Sequence, residues 1–256
     1  MPKSTVVTTS ERPDLTGSAL APLRDGWPTF VLHDPVSNTH RRAVAEYFPR
    51  FDVLLLDGDE VLARATAVAL RWDGDVATLP EGYDGALVAA VTEHESGVEP
   101  DTLCIVAATV RPDRTGGGLA GTVLTALRER AADAGLRRVV VPVRPTLKAS
   151  YPLTSMPDFL RWTRDDGLHL DPWVRTHQRL GATILAPAPR SMVVSGTVAQ
   201  WEEWTGMAFP RTGRYVVPGG LDLVEIDRER DRGVYEETNL WMRHGLGDHP
   251  TGGPRL

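Results

Sequence analysis

RPDRTGGGLAG, residues 111–121, separates an apolar run from a segment with the pattern of a helix. The run TLCIVAATV at 102–110 is almost wholly apolar, which predicts a strand buried on both of its faces. Residues 119–134 carry an apolar stripe at helical spacing, and Gly135 is placed to end the helix. Three consecutive glycines before a helix need a physical reason, because glycine loses more conformational freedom on folding than any other residue.

Two interpretations of the glycines follow from the residues alone. The first is a tight loop without a ligand, since glycine permits close packing and unusual backbone conformations. The second is a dinucleotide site, because Gly116, Gly118 and Gly121 satisfy the pattern G-x-G-x-x-G. That pattern should follow directly on a strand, whereas the polar VRPDRT intervenes here. Arg144 also lies near the place where the ribose-binding acid of such a site is expected.

A third interpretation is an anion-binding turn, in which free N–H groups and the helix dipole hold a pyrophosphate. The order V-x-P-D-x-x-G-x-G-L-A at 110–120 resembles the acyl-CoA-binding motif of the GNAT N-acetyltransferase superfamily. That motif is written (Gln/Arg)-x-x-Gly-x-(Gly/Ala), and its last two places fall on Gly118 and Ala120. Its first place falls on Thr115, a departure from the usual Gln or Arg, and Arg114 is the candidate to supply the charge instead.

The resemblance implies that acetyl-CoA, or another acyl-CoA, is the donor. Its implied binding residues are those at the strand end and the turn: Ala108, Val110, Arg114, Thr115, Gly116, Gly117, Gly118, Leu119 and Ala120. In this family the backbone N–H near the strand end, here Val110, bonds the thioester oxygen, so Val110 is also counted as catalytic. The pantetheine arm would lie between this strand and RRVVVPVRP at 137–145, and Pro142 agrees with a splayed pair because proline cannot donate to a ladder.

The order of predicted elements over about residues 28–190 also matches the family. TFVLHD at 29–34 predicts a strand, and a helix capped near Asn38 follows it. The Asp-Gly pair within 57–60 predicts a hairpin, and residues 84–95 have the spacing of a helix. The resemblance implies a mixed α/β (α+β) fold in which helices flank a central splayed sheet, with a β-rich C-terminal extension.

The rest of the chain is interpreted mainly from composition and short patterns. Two short helices are predicted at 156–167 and 171–182, because each ends near a glycine. Four parts of the chain are predicted: a flexible lead-in (1–25), the acyl-CoA-binding domain (26–190), a β-rich extension packed on it (191–244) and a disordered tail (245–256).

The reaction implied by the resemblance is direct acyl transfer, in which an amine attacks the thioester in a ternary complex. The late helix of the family typically ends Tyr-x-x-L-G, and this chain has H-Q-R-L-G-A at 177–182. His177 is therefore the candidate acid for the leaving thiolate, since the unperturbed pKa of a histidine side chain is about 6.5. A histidine on the helix surface or at its cap is the alternative.

The acceptor side is predicted in VRPTLKASYPL, residues 143–153. Arg144, Lys148 and Tyr151 lie there in an irregular segment and form a set suited to a carboxylate or phosphate on a small molecule. The alternative is that the two cations are solvated loop charges.

Composition limits which other classes of protein the chain can belong to. The chain of 256 residues has a formal charge of −6, which disfavours a general nucleic-acid surface. No apolar run approaches the ~20 residues of a membrane span, and residues 1–18 lack a signal-peptide core. The single cysteine, Cys104, fits a reducing cytoplasm, and the scattered histidines predict no metal site.

Three alternatives to a CoA-dependent transferase stay open at this level. A GNAT-like enzyme could take its acyl group from an acyl carrier protein or an aminoacyl-tRNA. The chain could also be a non-catalytic CoA-binding module, or an NADP-dependent oxidoreductase if the glycines hold a dinucleotide. The tryptophans and the C-terminal extension also suggest a homodimer.

Overall fold

The computed structural model describes residues 4–115 and 117–246. Nine strands of this part form one open sheet, in the order β1-β2-β3-β4-β5-β9-β8-β7 with β6 on the other edge of β9. The strands are β1 (Thr5–Thr8), β2 (Asp52–Asp57), β3 (Glu60–Leu70), β4 (Thr102–Val110), β5 (Arg138–Val143), β6 (Thr183–Gly196), β7 (Gly213–Tyr215), β8 (Val224–Asp227) and β9 (Arg232–His244).

Six α-helices accompany the sheet in the described residues. They are α1 (Pro35–Tyr47), α2 (Gly82–Glu95), α3 (Leu119–Asp133), α4 (Met156–Phe159), α5 (Pro172–Arg179) and α6 (Val198–Thr205). Helix α3 packs on β2 to β5, and α2 packs on β3, β4 and β6. None of the helices in residues 4–115 and 117–246 is long and apolar enough to cross a membrane.

The strand β4 is the centre of the fold. It runs antiparallel to β3 along its whole length, and its first residues are buried. Its pairing with β5 is parallel and covers only Thr102, Leu103 and Cys104. The two strands diverge beyond this point, which confirms the predicted mixed fold with a central splayed sheet.

The prediction of a strand at 29–34 is wrong. The structure has a 3-10 helix at Thr29–His33, whose Phe30 and Val31 are buried in a cluster with Trp201 of α6. Asp34 then caps α1, its carboxylate accepting from the N–H groups of the first turn, so α1 begins at Pro35 rather than near Asn38. The apolar pattern was correct as a sign of burial, but a tertiary contact and a strong cap determine the local conformation.

The predicted flexible lead-in differs from the structure. β1 pairs with β2 at one edge of the sheet, and a 3-10 helix follows at Gly17–Leu23. Leu15 and Leu23 are buried against β2 and β3 in a separate apolar cluster. These few apolar side chains anchor a segment whose overall composition is polar.

The predicted extension is part of the same sheet. The predicted boundary after residue 190 falls inside β6, which pairs with β9 on both sides of it. β9 also pairs with β5 over Val143 to Val139, so the last strand completes the central sheet. Only four residues of the predicted helix 156–167 are α-helical, and of the predicted tail, residues 247–256 lie outside the described residues.

Candidate functional site: a splayed strand pair beside a charged cavity

The gap between β4 and β5 is the first part of the site. β4 continues to Val110 without pairing to β5, and Pro142 of β5 pairs with Trp241 of β9 instead. The N–H of Arg111 donates to the carbonyl of Leu62, toward β3. Because consecutive N–H groups of a strand alternate in direction, those of Val110 and Ala108 face the gap.

A register shift opposite Thr66 and Ala67 adds one residue, Val106, to β4. A bulge of this kind bends the strand and increases its local twist. Cys104 lies just before it and is fully buried, and burial raises the pKa of its thiol well above the ordinary value. Cys104 is therefore a neutral core side chain.

The glycine turn leads into α3. Gly118 is the residue before the helix, with φ 74° in the left-handed region that favours glycine. The first N–H groups of a helix have no partner within it. In α3 they belong to Leu119, Ala120 and Gly121, which lie at the positive end of the helix dipole. This arrangement is suited to an anion such as a pyrophosphate.

The cations near the turn are shared with carboxylates. Arg111 pairs with Asp113 at 2.9 Å and with Glu60. Arg114 lies 3.7 Å from Glu60 and 3.9 Å from Asp113, and the Thr115 hydroxyl donates to the carbonyl of Pro112. The side-chain cations of the turn thus face acids of the protein, and the first-turn N–H groups of α3 are the backbone donors suited to an anion. Gly116 lies outside the described residues.

A cavity of about 360 Å³ lies beside β4 and is named here the β4 cavity. Val106, Ala107 and Thr109 line it from β4, Pro142 lines it from β5, and Arg144 lines it from the position after β5. The other walls come from the residues before α1, from α1 and α2, and from β3, β6 and β9. A second, open depression of about 740 Å³ starts at the N-terminal end of α3 and follows that helix.

The N-terminal segment closes one side of the β4 cavity. Leu20, Leu23 and Arg24 line it, and the indole N–H of Trp27 donates to the Thr109 hydroxyl at 3.2 Å. This wall could not be predicted from the sequence, because its only local signals are a few apolar residues within a polar segment. Trp27 and Thr109 are 82 positions apart, and no short-range sequence pattern indicates a contact over that distance.

A buried polar network supports the β4 cavity. Arg144 donates through Nε to both oxygens of Glu237, at 3.0 and 2.9 Å, and through Nη2 to the carbonyl of Gly219 at 2.7 Å. Glu237 also accepts from the Tyr235 hydroxyl at 2.7 Å and from Asn239 at 2.8 Å. Burial, followed by the charge of Glu237, raises the pKa of Tyr235 well above its usual value, so this phenol stays neutral.

The network extends from β9 to α2 through Ser191. Its hydroxyl donates to Asn239 at 2.6 Å and accepts the N–H of Tyr83 at 2.8 Å. Gly82, with φ 62°, sits so close to Ser191 that an added Cβ would lie 2.2 Å from its Cα. Glycine is required here both for its conformation and for the close approach.

Two carboxyl groups lie at the starts of α1 and α2, where Asp34 is buried and Asp84 is half-buried. Asp34 accepts from the N–H groups of Val36 and Ser37, and Asp84 accepts from the N–H of Val193 at 3.0 Å. Burial, with the charge of Asp34 next, raises the pKa of Asp84 to about 8. Asp84 therefore holds a proton at neutral pH.

The structure does not place the three predicted acceptor-binding residues in one site. Arg144 lines the β4 cavity, whereas Lys148 and Tyr151 lie outside its lining in the described chain. The fully buried Lys148 ammonium donates to the carbonyls of Tyr151 at 3.1 Å and Leu221 at 2.6 Å, which ties this loop to the C-terminal part. Tyr151 is exposed and packs edge-on against Trp162.

His177 lies in the core rather than on the surface of α5. Its Nδ1 is 2.9 Å from Nε2 of His244, and its ring packs edge-on against Trp173. Burial, with His244 next, lowers the pKa of His177 to about 3. The imidazole is therefore neutral at physiological pH, an environment that does not favour a proton donor. No His, Cys, Asp or Glu group within residues 4–115 and 117–246 is arranged to hold a metal ion.

Comparison with known proteins agrees with this geometry, although no family model matches the chain. A protein of Aspergillus versicolor named arginine N-acetyltransferase avaD is 27% identical over 96% of this chain and 95% of its own length. The loading GNATL domain of CurA from Lyngbya majuscula superposes with a TM-score of 0.57 at 13% identity, covering 95% of this chain and 98% of its own.

The GphF GNAT-like decarboxylase, solved with isobutyryl-CoA, gives a TM-score of 0.53 at 15% identity over 95% of this chain and 99% of its own. At these identities the two structures show the fold. The described residues therefore have a GNAT-type fold, as the sequence predicts. Over nearly its whole length the chain is similar to a protein named an N-acetyltransferase, which agrees with the GNAT resemblance of its sequence.

Proposed function

We propose that this chain is an N-acyltransferase that moves an acyl group, acetyl by default, from acyl-CoA to the amine of a small molecule. One observation carries the proposal: β4 borders both the open gap to β5 and the β4 cavity. A thioester in the gap and an amine in the cavity would meet along the same strand. Holding two reactants in this way accounts for a large part of such catalysis.

The donor would be bound by backbone more than by side chains. The first-turn N–H groups of α3, preceded by Gly118, would hold the pyrophosphate, and the depression along α3 would take the nucleotide part. The N–H groups of Ala108 and Val110 would face the pantetheine arm and the thioester oxygen. We propose that Val110 polarises that carbonyl, since a fixed donor stabilises the charge that develops on it.

In the reaction, the amine nitrogen forms a bond to the carbonyl carbon while the carbon–sulfur bond breaks. The amine loses one proton and the CoA thiolate gains one, so no other reactant is needed. The acceptor to test first is arginine, because the relative at 27% identity is named an arginine N-acetyltransferase. A cavity of about 360 Å³ suits an acceptor of that size, since it lies at the small end of the ~300–1,000 Å³ typical of ligand sites.

Calorimetric binding and thiol release test the proposal together. We expect the protein to bind acetyl-CoA and CoA, to ignore NADP, and to release free thiol when acetyl-CoA and an acceptor amine are both present. Binding without thiol release for any amine would favour a CoA-binding module. Failure to bind CoA would overturn the proposal and direct attention to acyl carrier protein or aminoacyl-tRNA donors.

Location and assembly are separate parts of the proposal. The buried, unpaired Cys104 agrees with a reducing compartment, and we propose the cytoplasm. Light scattering of the purified chain would decide between a monomer and the homodimer that the sequence suggests.

A further inference from the structure

We propose that the acceptor carries a carboxylate beside its amine, and that Arg41 and Arg24 bind this carboxylate at the rim of the β4 cavity. The inference rests on the proposed N-acyltransferase function and names the class of its acceptor. It also identifies two residues that determine acceptor specificity.

The cavity lining carries four arginines and one carboxylate. Two of the arginines are already neutralised. Arg64 makes two hydrogen bonds of 2.7 Å to the carboxylate of Asp52, and Arg144 is held by Glu237. These two guanidinium groups are therefore fixed parts of the wall, with their charge matched inside the protein.

Arg24 and Arg41 differ from this pair. Both are exposed, both line the cavity, and neither has an ion pair or side-chain hydrogen bond within the described residues. Glu237 is the only acid in the described lining, and it is fully buried and held by three donors, Arg144, Tyr235 and Asn239. The rim therefore has two guanidinium groups whose charge a ligand can match.

This local excess of positive charge is opposite to the charge of the whole chain, which is −6. A concave site of one charge sign concentrates ligands of the other sign. Guanidinium groups also match the planar geometry of a carboxylate, to which they can donate two parallel hydrogen bonds. An anionic group on the acceptor is the ligand that this rim recognises best.

The placement of the two arginines also orients the acceptor. Arg24 follows the 3-10 helix Gly17–Leu23, and Arg41 lies on α1, while Ala107 and Thr109 of β4 line another part of the cavity. A carboxylate held at the rim leaves the neighbouring amine free to point toward β4. In the proposed reaction that strand borders the thioester.

The test compares arginine with argininamide, which keeps the α-amine and the side chain but has no carboxylate. Rates are measured over a pH series, because the two α-amines titrate differently. We expect argininamide to raise KM about 10-fold or more, the range typical of a lost hydrogen bond to a charged group, with a smaller change in kcat.

The variants Arg41→Gln and Arg24→Gln should raise KM for arginine by a similar factor and leave KM for argininamide nearly unchanged. Arg42→Gln is the matched control, since Arg42 is also exposed on α1 but does not line the cavity. Acetyl-CoA affinity, measured by calorimetry, should be the same for all three variants and the unmodified chain.

Several results would overturn the inference. One is an equal KM for the two acceptors, and another is a loss in Arg41→Gln that is the same for both. A protein that binds acetyl-CoA and acylates neutral amines or phosphoethanolamine, but no amino acid, would keep the proposed function and exclude a carboxylate-bearing acceptor. Absence of acetyl-CoA binding would overturn the proposed function itself.

Discussion

His177 shows at the scale of one residue how a motif position and its environment can diverge. The sequence motif selects it as an acid, but its partner His244 lies 67 positions later, on β9. No local pattern reports that contact. The imidazole of His177 is fully buried and neutral in the structure. Its position in the helix motif does not indicate this burial.

We expect His177→Phe to lower thermal stability and leave kcat nearly unchanged. The variant removes the hydrogen bond to His244 and leaves a buried ring nitrogen without its partner, which costs about 1–3 kcal/mol. A general acid would instead contribute about 10²–10⁴-fold to the rate. Thermal unfolding and the pH profile of kcat measured on the same variant separate these cases, and a large fall in kcat would restore the acid role.

Asp84 should make stability depend on pH. Its pKa is raised to about 8 in the folded chain, whereas an unfolded aspartate titrates near ~3.9. The folded state therefore binds more protons between these values, and its stability falls as the pH rises from about 4 to about 8. We expect Asp84→Asn, which imitates the protonated form, to remove this part of the pH dependence.

Urea unfolding at pH 5, 7 and 9 measures that effect. The gain of Asp84→Asn over the unmodified chain should grow with pH, while Asp165→Asn, at an exposed position, should show no such trend. A uniform loss of stability at every pH would show instead that the amide cannot replace the carboxyl group.

At the scale of elements, the parts that the sequence predicts well are those with local causes. The strand β4, the turn and α3 were located within a residue because a buried apolar run, three glycines and a helical stripe lie in one stretch. The pattern at 29–34 predicts a strand where the structure has a 3-10 helix at Thr29–His33, because its apolar side chains fit either element equally well. Its contacts with Trp201 and Tyr235, which are distant in sequence, distinguish the two.

Gly118 and Gly135 allow the glycine turn to be tested within one helix. Both have left-handed backbones, with φ 74° and 73°, and neither has an atom within 4 Å of an added Cβ. Alanine at either place should cost about 1–2 kcal/mol of stability. We expect only Gly118→Ala to weaken acetyl-CoA binding, because it alone precedes the N–H groups proposed to hold the pyrophosphate.

Calorimetry of both variants with acetyl-CoA decides the point. Equal affinity for the two would mean that the turn does not position the donor. Equal weakening would mean that the loss reflects stability of α3 as a whole rather than the turn.

For the whole molecule, the donor side and the acceptor side differ in how far the sequence predicts them. The donor side lies within one stretch of β4, the turn and α3, so one motif describes it. The β4 cavity combines residues that are distant in sequence. Trp27 is hydrogen-bonded to Thr109, and Arg144 is hydrogen-bonded to Glu237, which lies 93 positions later. Arg144 was predicted from its place after β5, but its partner and the N-terminal wall were not.

The wall formed by Trp27 and its neighbours has a consequence for the order in which the protein matures on the ribosome. Early residues such as Arg24 can reach their final place only after β4 has been made, and Glu237 and Asn239 of β9 emerge near the end of translation. A nascent chain can thus complete its turn and α3 well before the cavity exists. The β4 cavity is therefore complete only after β9 has been made, so a partly translated chain lacks part of its lining.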